Sequence, residues 1–258
     1  MRAVLSIWRG IRRVLALTLI LVVLPATSAV GYFYSKGWPT SWSTADWSSA
    51  HIAPDPAVNR EAIIQVYAAR AGRWKGALAV HTWIAFKPHN ARGFTRLDVV
   101  GWGRPVRRNN YPVDGRWYSN EPEVVFELRG PKAQKLIPAI ESAVARYPFN
   151  ARGSYGVWPG PNSNTFIAWI GRQVPELGLE MPPTAVGKDY LGDGLNIGST
   201  PSGSGWQISW AGVVGAAVGL QEGIELHVLG TTLGLDPQDL AIKLPGLGLL
   251  GLKSFTSE

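Results

Sequence analysis

Residues 60–130 alternate between apolar and polar positions in short runs. "EAIIQVYAA" and "ALAVHTWIAFKP", joined by the turn "RAGRWKG", predict two strands of a hairpin. "FTRLDVVGWG" predicts a third strand and "EPEVVFELRG" a fourth, with "RPVRRNNYPVDGRWYSN" as a long basic loop between them. In the second strand a period of two sets Ala79, His81 and Trp83 on one face and Val80, Thr82 and Ile84 on the other. The period then lengthens. After Gly130-Pro131, a good helix start, Leu136, Ile137, Ile140, Ala143, Val144 and Tyr147 recur at helical spacing and predict one apolar face over 131–147. Pro138 falls inside that run, where a proline costs about 3 kcal/mol, so the helix is expected to kink there or to start nearer Leu136. A second helix is predicted over 163–174, with Phe166, Trp169, Ile170 and Val174 inward.

The two ends behave differently. Val14 to Tyr34 is apolar almost without interruption, behind Arg2, Arg9, Arg12 and Arg13. A basic flank before such a run is the pattern of an export signal or a signal-anchor. Pro25 followed by "ATSA" resembles the end of a cleaved signal, with Ala29 as its last residue. The length, about the 20 residues that span a bilayer, favours an uncleaved anchor with the basic end cytoplasmic and the main domain extracytoplasmic. Tyr32, Phe33, Tyr34 and Trp38 would then form an interfacial aromatic belt. Residues 37–59 are rich in Ser, Pro and Trp and read as a tether. The last third is Gly-rich and poorly periodic. "GWQISWAGVVGAAVG" reads as strand or buried loop, and "GIELHVLGTTLGLD" and "LAIKLPGLG" as strands. The organisation is thus a signal-anchor or signal peptide over 1–36, a tether over 37–59 and a single α+β domain over 60–252.

Composition changes this picture at two points. The net charge of +7 comes from 25 basic and 18 acidic residues, but five basic and no acidic residues lie in the first 36. The remaining 20 against 18 give +2, so charge offers no case for a nucleic-acid partner. The absence of Cys removes disulfides, a thiol nucleophile and thiolate metal sites, and the four His show no HxH or HxxxH spacing. No metal or cofactor is expected. Arg104, Arg107, Arg108 and Arg116 make a basic loop, which near a membrane can meet anionic head groups.

Candidate chemistry centres on "VWPGPNSNTFIAWI", where a Pro-Gly-Pro turn delivers Asn162-Ser163-Asn164 onto a helix start. Ser and Asn are favoured N-caps, contributing about 1 kcal/mol, but three caps stand where one suffices. A helix N-terminus also favours developing negative charge, so Ser163 there can serve as a nucleophile if a base lies within reach. His81 is the best base available, although a lone strand histidine is more often a satisfied core residue.

The strands "AIIQVYAARAGRWKGALAVHTWIAF" and "DVVGWG", with "NSNTF" at a helix start, resemble circularly permuted papain-like proteins, the group of NlpC-type amidases and lecithin retinol acyltransferase relatives. That resemblance implies an antiparallel sheet with packed helices. A strand His (His81) would precede a helix, Tyr155 and then the nucleophile position. Here Ser163 stands where the family has its Cys, a change that usually abolishes a thiol enzyme. The resemblance also implies an orienting residue on the following strand, and Asp98 is the only carboxylate there. Residues 50–250 further resemble a bacterial envelope family of unknown function. The implied function is a membrane-anchored domain of the inner-membrane periplasmic face whose cleft binds a wall peptide or lipid ligand without thiol catalysis. Its alternative is a serine-dependent amide or ester hydrolase or acyltransferase, with Ser163, His81 and Asp98 catalytic and amides around Asn164 as oxyanion donors. In either case Asn162, Asn164, Tyr155 and Trp158 are the expected ligand contacts.

Overall fold

The computed structural model describes residues 8–10, 12, 13, 16–38 and 41–251. Arg2 and Val14, and the end of the expected domain at residue 252, lie outside the described residues. Among the described residues twelve strands form two antiparallel sheets, so the α+β class is as expected. The first sheet has five strands: β1 (Ile63–Arg70), β2 (Val80–Lys87), β3 (Thr95–Val99), β4 (Val106–Arg108) and β5 (Glu123–Arg129), in the order β4-β3-β2-β1-β5. Strand β4 lies inside the segment expected to be a loop, and the turn between β1 and β2 holds a 3₁₀ helix, Arg73–Ala77.

Both faces of this sheet are covered, which is why β2 is buried along its whole length. On one face pack helices α2 (Gly130–Ala145) and α3 (Ser163–Gln173). Val80, Ile84 and Phe86 there meet Ile140, Phe166 and Ile167 in the main core, each such side chain contributing roughly 1.5–3 kcal/mol on burial. Helix α2 runs through Pro138 as one element. Pro138 is exposed while Leu136, Ile137 and Ile140 are buried, so the missing hydrogen bond falls on the solvent side, where water can meet the freed carbonyl. On the opposite face Tyr67, Trp83 and Trp117 form a second, aromatic core. The tether helps close it: Trp47 packs on Tyr111, Trp117 and Tyr118. The Asp114 carboxylate holds the tether in place, accepting hydrogen bonds from the Ile52 and Ala53 amides at 2.7 and 2.9 Å.

The Gly-rich third is a seven-stranded meander: β6 (Leu195–Ser199), β7 (Gly205–Trp210), β8 (Val214–Gly219), β9 (Gly223–Val228), β10 (Thr231–Asp236), β11 (Ala241–Leu244) and β12 (Gly248–Gly251). Its polarity is inverted relative to an ordinary half-buried sheet. Glu225, His227 and Lys243 point into the protein and are buried, while Trp206, Val218, Ile224, Leu235, Ile242 and Leu250 face out in one cross-strand row. The inward face is satisfied by a charge network. Lys188 and Lys243 both donate to Glu225 Oε1, at 2.9 and 2.8 Å, and Lys243 reaches Glu180 at 2.6 Å. Arg172, near the end of α3, ties this layer to the helix by donating to Ser199 O and Gln207 Oε1.

The N-terminal apolar segment is helical over Ala16–Lys36, 21 residues long and apolar enough to cross a membrane or to serve as a signal. Its last part, α1 (Leu24–Lys36), buries Pro25, Ala29 and Phe33. Ala29 lies against Gly246: a Cβ on that glycine would fall 2.7 Å from Ala29 Cβ, so only glycine lets the two backbones approach.

Candidate functional site

A cleft of about 90 Å³ opens where the start of β2 meets the N-terminus of α3. Its walls include Lys75, His81, Trp117, Tyr155, Ser163 and Val186. The fold therefore brings Ser163 and His81 to one place. They arrive from opposite sides of the sheet: Thr82 faces helix α3, and the alternation of β2 turns His81 to the aromatic side.

The helix start is held by the residues that flank Ser163. Asn162 is the N-cap, its Oδ1 accepting from the Asn164 and Thr165 amides at 2.9 and 3.2 Å. Its Nδ2 donates to Val157 O and Val186 O. Asn164 is equally committed: Oδ1 accepts from Thr82 Oγ1 at 2.9 Å, and Nδ2 donates to Val80 O and Val186 O at 3.0 and 2.8 Å. Of the oxyanion donors expected around Asn164, the Asn164 and Thr165 amides are already paired with the cap. Ser163 differs from its neighbours, because its hydroxyl makes no hydrogen bond among the described residues and lies on the cleft.

His81 stacks on Trp117 with ring centroids 3.6 Å apart and planes 5° from parallel. Its Nε2 is buried and has no hydrogen-bond partner among the described residues. Burial first, and the positive charge of Arg96 second, hold the imidazole well below its usual pKa and therefore neutral. Neutral is the form a base needs, but Ser163 is not hydrogen-bonded to it, and a general base must reach the proton it takes. Asp98 does not orient the ring. Its Oδ2 accepts from Arg96 Nε at 2.9 Å, with both side chains buried, and Oδ1 has no partner. The structure thus brings together two members of the expected triad and gives the third a different partner.

Tyr155 lines the cleft as expected, and burial pushes its phenol up to about 12, keeping it protonated. Trp158 does not line it; the ring is half exposed and Nε1 donates to Leu229 O at 2.9 Å. Two wall residues escaped the sequence reading. Trp117 lies in the segment expected to be a basic loop, and nothing local marks it as the stacking partner of His81. Lys75 lies in the turn between β1 and β2; burial first, then Arg73, lowers its pKa. The Arg96–Asp98 pair was legible, since residues two apart on a strand share a face. Two of the four arginines of the basic loop are ion-paired: Arg108 with Glu141 and Arg116 with Glu121 at 2.7 Å. Among the described residues no three His, Asp or Glu side chains are grouped to hold a metal.

No curated protein and no solved structure matches the chain. The family match covers the five-stranded sheet, both packed helices and the cleft, and ends before β6. Residues 61–190, half of the 258-residue chain, match DUF3750, described as a protein of unknown function, and the chain belongs to that family.

Proposed function

We propose that the chain is a bacterial envelope protein, anchored in the cytoplasmic membrane by Ala16–Lys36 with the later residues on the periplasmic face, whose cleft binds a wall peptide or lipid ligand without covalent catalysis. The order His81, helix, Tyr155, Asn162–Phe166 supports a permuted papain-like origin with Ser163 in the place of the thiol. One observation carries the non-catalytic reading: Asp98, the only candidate orienter of His81, is committed to buried Arg96. A serine without a hydrogen-bonded base is a poor nucleophile, and the amides of Asn164 and Thr165 already serve the Asn162 cap. At about 90 Å³ the cleft is well below the ~300–1,000 Å³ that encloses a whole small molecule. It suits one small group of a larger ligand, with the Ser163 hydroxyl as hydrogen-bonding partner and Trp117 and Tyr155 as walls.

A serine-dependent amide or ester hydrolase or acyltransferase is the second reading, favoured by the unengaged Ser163 hydroxyl and the orphaned His81 Nε2 in the same cleft. A fluorophosphonate probe separates the two. The binding reading expects no labelling of folded protein; labelling that disappears in Ser163→Ala would replace it with the hydrolase. Binding itself is read by thermal unfolding with soluble disaccharide-peptide wall fragments or with short-chain phospholipid. A ligand at a hundred times its Kd adds about 2.7 kcal/mol, and Trp117→Ala should abolish that gain.

A further inference from the structure

We infer that the outward face of the β6–β12 sheet is a second membrane contact, seated on the acyl-chain surface of the bilayer that holds the N-terminal helix. The inference rests on reading Ala16–Lys36 as a membrane span.

The face itself is the first observation. Seven strands about 4.8 Å apart and up to roughly 20 Å long give a projected area of about 600 Å², at or above the largest apolar patch of a typical soluble monomer. Along the paired strands its positions are apolar apart from Ser199 and Thr231 at the margins, and none is charged. Trp206 and Trp210 are 67% and 56% exposed, Ile224 and Leu226 55% and 52%. Exposing such groups to water forfeits the burial that would otherwise stabilise them, while the charges of the same strands are turned inward.

The second observation selects the occupant. Helix α1 docks on the domain through Ala29 and Phe33, and Ala29 abuts Gly246 in the turn between β11 and β12. Ala29 is seven residues, about 10 Å of helix, before Lys36. Between them Tyr32 and Tyr34 are exposed, the positions of an interfacial aromatic belt. On that reading the turn at Gly246 lies level with the outer third of the span, just below the tyrosine belt, and strands β11 and β12, which leave that turn, adjoin the helix there. Arg70 fixes the junction, its Nη1 donating to Gly246 O at 3.0 Å.

The chemistry of the face also points to hydrocarbon rather than a second copy of the chain. Protein interfaces carry about one hydrogen bond per 100–200 Å²; this face offers two hydroxyls, of which Thr231 Oγ1 already donates to Val228 O, and the indole N–H groups of Trp206 and Trp210, a donor type that also suits a lipid head-group boundary. A liquid apolar surface requires no such register. Backbone groups within the face are paired strand to strand, so seating it leaves only the sheet edges to be met by head groups or water.

The chain has no Cys, so single-Cys variants can be spin-labelled without background. Full-length protein would carry a nitroxide at Ile20, Leu226, Ile224 or Arg92, in vesicles of phosphatidylethanolamine and phosphatidylglycerol. Collision with oxygen reports lipid; collision with a nickel chelate reports water. All four positions are exposed, so substitution there leaves the fold intact. Lipid contact predicts that Leu226 and Ile224 show an oxygen-to-nickel ratio as high as Ile20, with Arg92 shifted to the aqueous value. Ile20 in lipid with Leu226 and Ile224 in water overturns the inference and leaves the anchor standing. Leu226 shielded from both reagents, with dipolar broadening between labels, assigns the face to a second copy and overturns it equally. Ile20 outside lipid overturns both.

Discussion

Replacing Glu225 by Gln should destabilise the protein far more than the loss of one surface ion pair would. The Glu225 carboxylate sits between two ammonium groups, with side-chain exposures of 1% for Glu225, 4% for Lys188 and 0% for Lys243. The variant keeps the shape but removes the charge. Lys243 retains Glu180 at 2.6 Å and Glu222 O at 2.9 Å. Lys188 retains Met181 O at 3.4 Å and the neutral amide oxygen of the variant, neither of them charged, so it is the group whose charge is left uncompensated. Removing one partner of a buried pair costs about 3–5 kcal/mol.

Acid titration gives a second route to the same size. Burial raises the Glu225 pKa, but Lys188, Lys243 and His227 together overcome this and bring it down to about 2 from 4.5. A depressed carboxylate pKa means that the unfolded chain binds the proton first. The stabilisation is then full above pH 4.5 and lost as pH falls towards 2, roughly 3 kcal/mol in all. Urea unfolding followed by Trp fluorescence in a mild detergent measures both effects. Glu225→Gln should lose about 3–5 kcal/mol at pH 7 and flatten the acid limb between pH 4.5 and 2. Adding Lys188→Met should restore most of the loss, because no buried charge then lacks a partner. A loss under about 1 kcal/mol would refute the reasoning, since it would mark a water-screened pair of surface type.

Three further outcomes are expected. His81→Phe keeps the stack on Trp117 and removes the orphaned Nε2, so stability at pH 7 should hold or rise. Both His81 and His227 have lowered pKa values, burial being the main cause in each, so the unfolded chain takes up their protons below pH 6.5. Each then removes up to about 1.4 kcal/mol per pH unit on acidification, and an unchanged slope in His81→Phe would exclude this origin. Asn162→Ala should cost about 1–2 kcal/mol through the lost cap, and Asn162→Asp, which keeps the cap but sets a carboxylate oxygen against Val157 O and Val186 O, should also destabilise; a loss under about 0.5 kcal/mol in Asn162→Ala would show that the cap contributes little. Ser163→Ala should leave stability within about 0.5 kcal/mol, because its hydroxyl has no partner to lose, and a loss above 2 kcal/mol would reveal a structural bond.

The first sheet was largely legible because each of its main strands is a local pattern: alternation between Ile63 and Lys87, and turn residues between runs. Helix α3 was legible for the same reason. What was not legible depends on distance in sequence. His81 meets Trp117 through the closure of a loop 36 residues on, and the tether's Trp47 completes that core. The last third was legible as strands but not in its polarity. Trp206, Ile208 and Trp210 alternate cleanly with Gln207 and Ser209, as Ile224, Leu226 and Val228 do with Glu225 and His227. Frequent Gly and Ala residues mask that period in any running average. Where the period is seen, habit sends the apolar set inward. The polar set goes inward here because its charges are mutually satisfied, a condition that no local window contains.

The polar triplet at the start of α3 can now be divided by what each member does. Asn162 caps the helix and ties it to Val157 and Val186; Asn164 joins it to Thr82 and Val80 of β2. Removing either therefore loosens the fold at several points, and neither has a polar atom left for a ligand. Ser163 is held rigidly between them by backbone alone, and its hydroxyl is the only polar side-chain atom of the three without a task. Leaving a hydroxyl unpaired in a sealed core costs about 1–3 kcal/mol, whereas at a cleft wall the same group can be met by whatever enters. That difference makes Ser163, and not the larger concavity beside Asp55 and Arg60, the place to look for bound ligand. An imidazole kept neutral 82 residues earlier in the chain then shapes the cleft floor without competing for the hydroxyl.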